Sequence, residues 1–85
     1  MSFVPNGGGS IFIGNRVTQG WVFTWNNGGW QGNTFFEPQP FNTGSAMSSS
    51  VGSANLNNNG TFSFSFTISN NGPNSTFYNI QASNN

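Results

Sequence analysis

The sequence predicts an all-β fold, a small antiparallel β-sandwich or jelly-roll-like domain of about six strands. Residues 61–69 alternate strictly between apolar and hydroxyl side chains, which is typical of a half-buried antiparallel strand. Turn signals rich in Asn and Gly recur about every 8–12 residues. No segment has apolar residues at helical spacing. Together these observations indicate short strands joined by tight turns.

The first half of the chain contains three predicted strands. A short strand is predicted at residues 10–13, and longer strands at residues 17–25 and 30–36. The two longer segments flank Asn26-Asn27-Gly28-Gly29, and turns of this composition join antiparallel neighbours. We therefore expect residues 17–25 and 30–36 to form a hairpin.

Residues 37–44 contain Pro38 and Pro40 and are predicted to form a loop. The loop leads to a strand at residues 46–56, which is rich in small side chains. Asn59-Gly60 then predicts a hairpin to residues 61–69, because both residues tolerate positive φ.

The alternation within residues 61–69 also predicts part of the core. The apolar members of that strand are expected to face inward; they are Phe62, Phe64, Phe66 and Ile68. A further turn at residues 70–74 precedes the last predicted strand, at residues 75–82.

The N-terminal residues 1–9 are predicted to be a flexible arm, and residues 10–85 a single β-sandwich domain. Phe3, Val4 and Pro5 form a small apolar anchor, which Gly7-Gly8-Gly9 tethers to the first strand. Such an arm could add a strand to a neighbouring subunit. The alternative is an arm that folds onto its own domain.

The chain has two charged side chains, Arg16 and Glu37, and no His, Cys, Lys or Asp. General acid–base catalysis requires a titratable group at the reacting proton, and glycoside hydrolysis requires a pair of carboxylates. Zinc requires thiolates or imidazoles, and calcium requires several carboxylates. We therefore predict that the protein is not an enzyme and uses no metal or cofactor.

The same charge count removes two classes of partner. Nucleic acids and anionic membranes are bound mainly by clusters of Lys and Arg, and Arg16 alone is no cluster. We therefore expect no nucleic-acid partner. We also expect no membrane insertion, because no run approaches the roughly 18 apolar residues of a membrane helix. The N-terminus has no recognisable signal peptide. An extracellular location, or one on the surface of a cell or particle, is still the expectation.

Residues 66–80, FTISNNGPNSTFYNI, place an apolar strand before Asn-x-Gly-Pro and a second strand after it. This pattern resembles the strand–turn–strand of bacterial surface β-sandwich modules and of subunits of bacterial appendage fibres. The resemblance implies an immunoglobulin-like or jelly-roll sandwich with a structural or adhesive role.

The absence of charge predicts assembly. Soluble monomers usually carry many charged surface residues, and Lys on edge strands prevents edge-to-edge pairing. We therefore expect a non-enzymatic, self-assembling structural subunit of an extracellular fibre, sheath or coat, built by β-edge and arm contacts between copies. A neutral protein kept soluble by its amide groups is the plainer alternative.

A small lectin is the second functional hypothesis. Trp25 and Trp30 flank the predicted 26–29 turn, with Asn27 and Gln31 beside them. Flat aromatic faces and side-chain amides can bind neutral glycans without any charge. The alternative is that the tryptophans pack in the core.

Overall fold

A computed structural model describes residues 2–5, 9–25 and 34–84 of the chain. The protein is an all-β sandwich, which confirms the predicted fold class, and the described residues contain no helix. The structure has seven strands, one more than predicted: β1 (Ser2–Phe3), β2 (Ile11–Ile13), β3 (Thr18–Trp25), β4 (Thr34–Pro40), β5 (Met47–Leu56), β6 (Phe62–Asn70) and β7 (Thr76–Asn84).

The strands form two antiparallel sheets. In the four-stranded sheet, β7 pairs with β4 along one edge. The opposite edge of β7 pairs with β2 at its start and with β1 near its end. The three-stranded sheet has the order β3-β6-β5.

The strand pairing contradicts the predicted hairpin between residues 17–25 and 30–36. β3 pairs with β6, whereas β4 pairs with β7 in the other sheet. The segment Asn26-Asn27-Gly28-Gly29 lies outside the described residues. A Gly-rich turn signals a change of chain direction, but burial of the strand's apolar face selects its partner.

The second hairpin is confirmed. β5 pairs with β6 directly, and the N–H of Gly60 donates to the carbonyl of Asn57 over 3.0 Å. Gly60 has φ of 84°, so the positive φ expected at this turn lies on the glycine. A register shift between Val51 and Ser53 leaves Gly52 as the extra residue of a β-bulge.

The predicted loop at residues 37–44 is half wrong, because residues 37–40 belong to β4. Pro38 lies opposite Ile80, and Pro40 lies opposite Tyr78. The N–H of Phe41 donates to the carbonyl of Phe77 over 3.0 Å. Hydrogen-bonded pairs alternate along an antiparallel ladder, so the backbone nitrogens of residues 38 and 40 point away from β7. Neither proline removes a ladder bond, which is how edge strands accommodate proline.

The core lies where β4 and β6 face each other across the sandwich. The rings of Phe36 and Phe66 stack with centroids 4.2 Å apart and planes 6° apart. The buried apolar side chains of this core, the stacked pair included, come from four strands: Ile13, Phe36, Phe66, Ile68, Tyr78, Ile80 and Ala82.

The four side chains predicted as core in residues 61–69 fall into two groups. Phe66 and Ile68 are buried at 3% and 0% exposure. Phe64 is partly buried and packs against the core, and Phe62 is also half-buried, with its ring 5.1 Å from that of Phe64. Burial therefore decreases along β6 toward the 57–60 turn.

Candidate functional site

The three-stranded sheet has two long edges. The carbonyl of Val17 accepts the N–H of Asn70 over 2.9 Å, so the ladder alternation directs the backbone groups of β3 residues 18, 20, 22 and 24 away from β6. These groups pair with no other described strand. β3 carries neither charge nor proline over its eight residues, so it lacks the usual protection of an edge strand.

The second edge, β5, has the same character over ten residues. The carbonyl of Ala46 accepts the N–H of Asn71 over 2.8 Å. This bond places the backbone groups of Met47, Ser49 and, before the bulge, Val51 on the outward side. Apart from Val51, whose side chain is not described, the side chains of residues 48–56 are exposed.

The edge formed by β4 is different, because three features block it. Pro38 and Pro40 occupy outward positions and have no N–H to offer, and Glu37 adds a charge. The outward carbonyl of Phe36 already accepts a hydrogen bond of 2.6 Å from Ser49 Oγ. Edge pairing is therefore disfavoured at β4, whereas β3 lacks such protection and β5 lacks it apart from the contact of Ser49 with β4.

The outer face of the three-stranded sheet is a surface of hydroxyl groups. Cross-strand hydroxyl pairs tie β6 to both neighbours: Thr18–Ser69 at 2.8 Å, Thr24–Ser63 at 3.0 Å and Ser50–Thr67 at 3.1 Å. Val22 is the large apolar side chain of this face and is 65% exposed. The hydroxyl pairs stabilise the sheet while leaving its surface uncharged.

The outer face of the four-stranded sheet combines aromatic and polar side chains. Phe12 and Phe77 meet edge to face, with ring centroids 5.4 Å apart, and Phe41 follows in the same row of the sheet. A shallow cavity of about 560 Å³ lies along β4 and β7 on this face. Its lining residues are Phe35, Glu37, Gln39, Gln81, Ala82 and Ser83.

The predicted N-terminal arm contributes a strand to its own sheet. Phe3 lies opposite Ala82 in the β1–β7 pair, and Ser2 lies opposite Ser83. Val4 is exposed and Pro5 is half-buried. In the single chain, the backbone of the arm therefore occupies the edge of β7 that a neighbouring strand would need.

The predicted glycan site falls mostly outside the described residues, which do not include Asn27, Trp30 and Gln31. Trp25 lies on the inward side of β3, opposite Phe62, and its ring contacts Phe23 with centroids 5.0 Å apart. It is half-buried rather than displayed on the outer face.

A partly buried hydrogen-bond chain joins the two sheets near β2. Trp21 Nε1 donates to the Tyr78 hydroxyl over 2.9 Å, and that hydroxyl donates to Gln19 Oε1 over 2.6 Å. Gln19 Nε2 in turn donates to the carbonyl of Phe12 over 2.8 Å. Burial raises the pKa of the Tyr78 phenol above its usual value of 10.0, and the Trp21 hydrogen bond offsets part of that rise.

The described residues contain no group of three or more acidic, His or Cys side chains that could hold a metal. They also form no helix that could cross a membrane. Arg16, with φ of 57°, and Glu37 are both exposed. The described surfaces of the two sheets can contact a partner through hydrogen bonds from backbone, amide and hydroxyl groups and through aromatic rings.

Sequence reasoning missed two features of these surfaces. The difference in protection between the edge of β4 and the edges of β3 and β5 depends on β4 being a strand. Pro38 and Pro40 instead favour a loop when the sequence is considered alone. The cavity on the four-stranded sheet requires β4 and β7 to be neighbours, although they are about 40 residues apart in the sequence. The alternation of Phe35, Glu37 and Gln39 with Phe36 and Pro38 was the available signal for that strand.

No protein-family model matches the chain, and no curated protein or solved structure shows significant similarity to it.

Proposed function

We propose that the protein is a non-enzymatic structural subunit that self-associates, through the edges of its three-stranded sheet, into a fibre, sheath or coat. The observation that carries this proposal is the contrast between edges. β3 and β5 present outward backbone groups without charge or proline, whereas β4 carries Pro38, Pro40 and Glu37.

The presence of two open edges on each copy favours a polymer over a closed dimer. β3 and β5 are both antiparallel to β6, so they run parallel to each other. When β5 of one copy pairs with β3 of the next, the contact is head-to-tail and leaves an open edge at each end. Like edges would instead pair antiparallel about a twofold axis, and a β3–β3 pair would still leave two open β5 edges.

The surface beside these edges supports the same proposal. The outer face of the sheet is built of hydroxyl groups, and the chain has formal net charge zero, so copies do not repel one another. A role for the N-terminal arm in assembly stays a prediction, because β1 pairs with β7 of its own chain.

Negative-stain electron microscopy of a dilution series, with sedimentation of the same samples, tests the proposal. Filaments, tubes or sheets of constant width are expected for the natural chain. Val22→Lys and Ser53→Lys place a charge on the open edges β3 and β5. Each substitution should prevent the chain from forming these assemblies. Gln39→Lys, which adds the same charge to the blocked edge β4, is the matched control and should assemble normally.

Two results contradict the proposal. One is a natural chain that remains monomeric or dimeric at every concentration. The other is assembly that Gln39→Lys disrupts as strongly as Val22→Lys and Ser53→Lys, because the edges of the three-stranded sheet would then not be the contact. Circular dichroism of each variant establishes that the sandwich is folded.

A further inference from the structure

The cavity on the outer face of the four-stranded sheet forms a groove that neither the core nor the open edges use. We call it the β4–β7 groove, lined by Phe35, Glu37, Gln39, Gln81, Ala82 and Ser83. Along β4, the side chains on this face are Phe35, Glu37 and Gln39, and Phe41 follows them. A polar centre therefore lies between an aromatic ring at each end.

The rings at both ends are available for contact. Phe35 is 64% exposed and Phe41 is 55% exposed. Phe77 and Phe12, which meet edge to face, continue the aromatic row from Phe41 across the sheet. Phe41 is six residue steps along the extended chain from Phe35, which corresponds to about 20 Å.

The polar centre has unused hydrogen-bonding capacity. Within the described part of the chain, the side chains of Glu37, Gln39 and Gln81 make no hydrogen bond. Each glutamine amide offers two donors and an acceptor, and the carboxylate of Glu37 offers acceptors. A ligand that presents both donors and acceptors at close spacing would satisfy them together.

The charge of the groove narrows the class of ligand. Among the described lining residues, Glu37 is the only charged one, so a phosphate or a polyanion would be repelled. A protein surface laid on the groove would bury that carboxylate, which is costly without a partner cation. Sugar hydroxyl groups donate to a carboxylate without carrying charge, and the C–H faces of sugar rings can cover exposed phenyl rings.

We propose that the β4–β7 groove binds a short stretch of a neutral, linear polysaccharide that lies along the two strands, with its rings against Phe35 and Phe41 and its hydroxyl groups on Glu37, Gln39 and Gln81. An aromatic site with a few convergent polar groups is the usual composition of a small-ligand site. This proposal does not depend on assembly.

Isothermal titration with cellohexaose, xylohexaose and mannohexaose as neutral probes, and with hexagalacturonate as a polyanionic probe, tests the proposal. Saturable binding of at least one neutral probe is expected, with no binding of the polyanion. Phe35→Ala and Gln81→Ala should each weaken that binding by about tenfold or more. Val17→Ala, an exposed truncation outside both the groove and the open edges, is the matched control and should change it less than about twofold.

Three results overturn the proposal: failure of all three neutral probes to bind, equal binding of hexagalacturonate, or affinity that neither Phe35→Ala nor Gln81→Ala reduces. Sedimentation of the same variants without sugar tests whether a second copy of the chain occupies the groove instead. If Phe35→Ala and Gln81→Ala abolish self-association and no neutral probe binds, the groove is a contact between copies of the chain. Val22→Lys and Ser53→Lys of the assembly test change residues outside the groove, so their effect on assembly is separable from sugar binding.

Discussion

Trp21 Nε1 donates a 2.9 Å hydrogen bond to the hydroxyl of Tyr78, which joins β3 in one sheet to β7 in the other. Tyr78 has 0% exposure, so its hydroxyl depends on protein partners. The same hydroxyl donates to Gln19 Oε1 over 2.6 Å. The contact between the sheets is therefore polar at this point and apolar at the Phe36–Phe66 stack.

Tyr78→Phe should lower the free energy of unfolding by about 1–3 kcal/mol, because it leaves the Trp21 N–H and Gln19 Oε1 without their buried partner. Urea denaturation followed by tryptophan fluorescence measures this change. Thr18→Ala, which removes an exposed hydroxyl pair with Ser69, is the control and should change stability by less than about 0.5 kcal/mol. Equal effects of the two variants would contradict a structural role for the Tyr78 hydrogen bonds.

Tyr78 also predicts a loss of stability in alkaline solution. Burial raises its pKa in the folded protein above 10.0, so the unfolded chain loses the phenolic proton first as pH rises. The stabilising contribution is complete below about pH 10 and is lost as pH rises through the folded pKa. Urea denaturation between about pH 8 and pH 11 should show this decline, and Tyr78→Phe should remove it. If the stability of Tyr78→Phe declines with pH as steeply as that of the natural chain, Tyr78 is not the cause of the decline.

Asn70→Ala should destabilise the fold by about 2–4 kcal/mol, since three backbone groups in buried or part-buried hydrogen bonds lose a partner together. Asn70 is 2% exposed. Its Nδ2 donates to the carbonyls of Gly14 and Asn74 over 3.1 and 2.9 Å, and its Oδ1 accepts the N–H of Gly72 over 3.0 Å. Thermal unfolding measures the effect.

Asn71→Ala is the matched control for that prediction. Asn71 is exposed, and its side chain makes one hydrogen bond, of 3.1 Å, to Ser48 Oγ. Its truncation should cost less than about 0.5 kcal/mol. If the two alanine variants unfold at the same temperature, the network around Asn70 does not organise the bend between β6 and β7.

The gradient of burial along β6 predicts a graded set of alanine substitutions. Phe66→Ala removes one ring of the Phe36–Phe66 stack and should cost about 3–5 kcal/mol. Phe62→Ala, at the half-buried end of the strand, should cost roughly half as much, with Phe64→Ala between them. Chemical denaturation of the three variants measures the order, and a larger loss for Phe62→Ala than for Phe66→Ala would contradict it.

Replacing both prolines of β4 should open its edge. In the double variant Pro38→Thr and Pro40→Thr, two N–H groups would point away from β7, so pairing with another chain becomes possible. Self-association should begin at a lower protein concentration, measured by light scattering. Gln39→Thr is the control, because the N–H of residue 39 faces β7. Unchanged association in the double variant would show that the prolines do not protect this edge.

Most strands could be predicted because their signals are local. The alternation in residues 61–69 and the Asn59-Gly60 turn depend on neighbouring residues alone, and both reappear in the β5–β6 hairpin. Val17, predicted as the first residue of its strand, lies just before β3. The candidate sites were less predictable: the groove depends on the long-range β4–β7 pair, and three of the four predicted glycan-binding residues lie outside the described segments.

By itself, the sequence determined the all-β class, the positions of most strands and the uncharged chemistry, since period-two alternation and composition are properties of short segments. Only the tertiary structure decided that β3 and β4 lie in different sheets and that Pro38 and Pro40 lie on an edge strand. The reason is physical: a strand's partner is selected by which apolar faces bury each other, as Phe36 does against Phe66, and those faces come from distant parts of the chain.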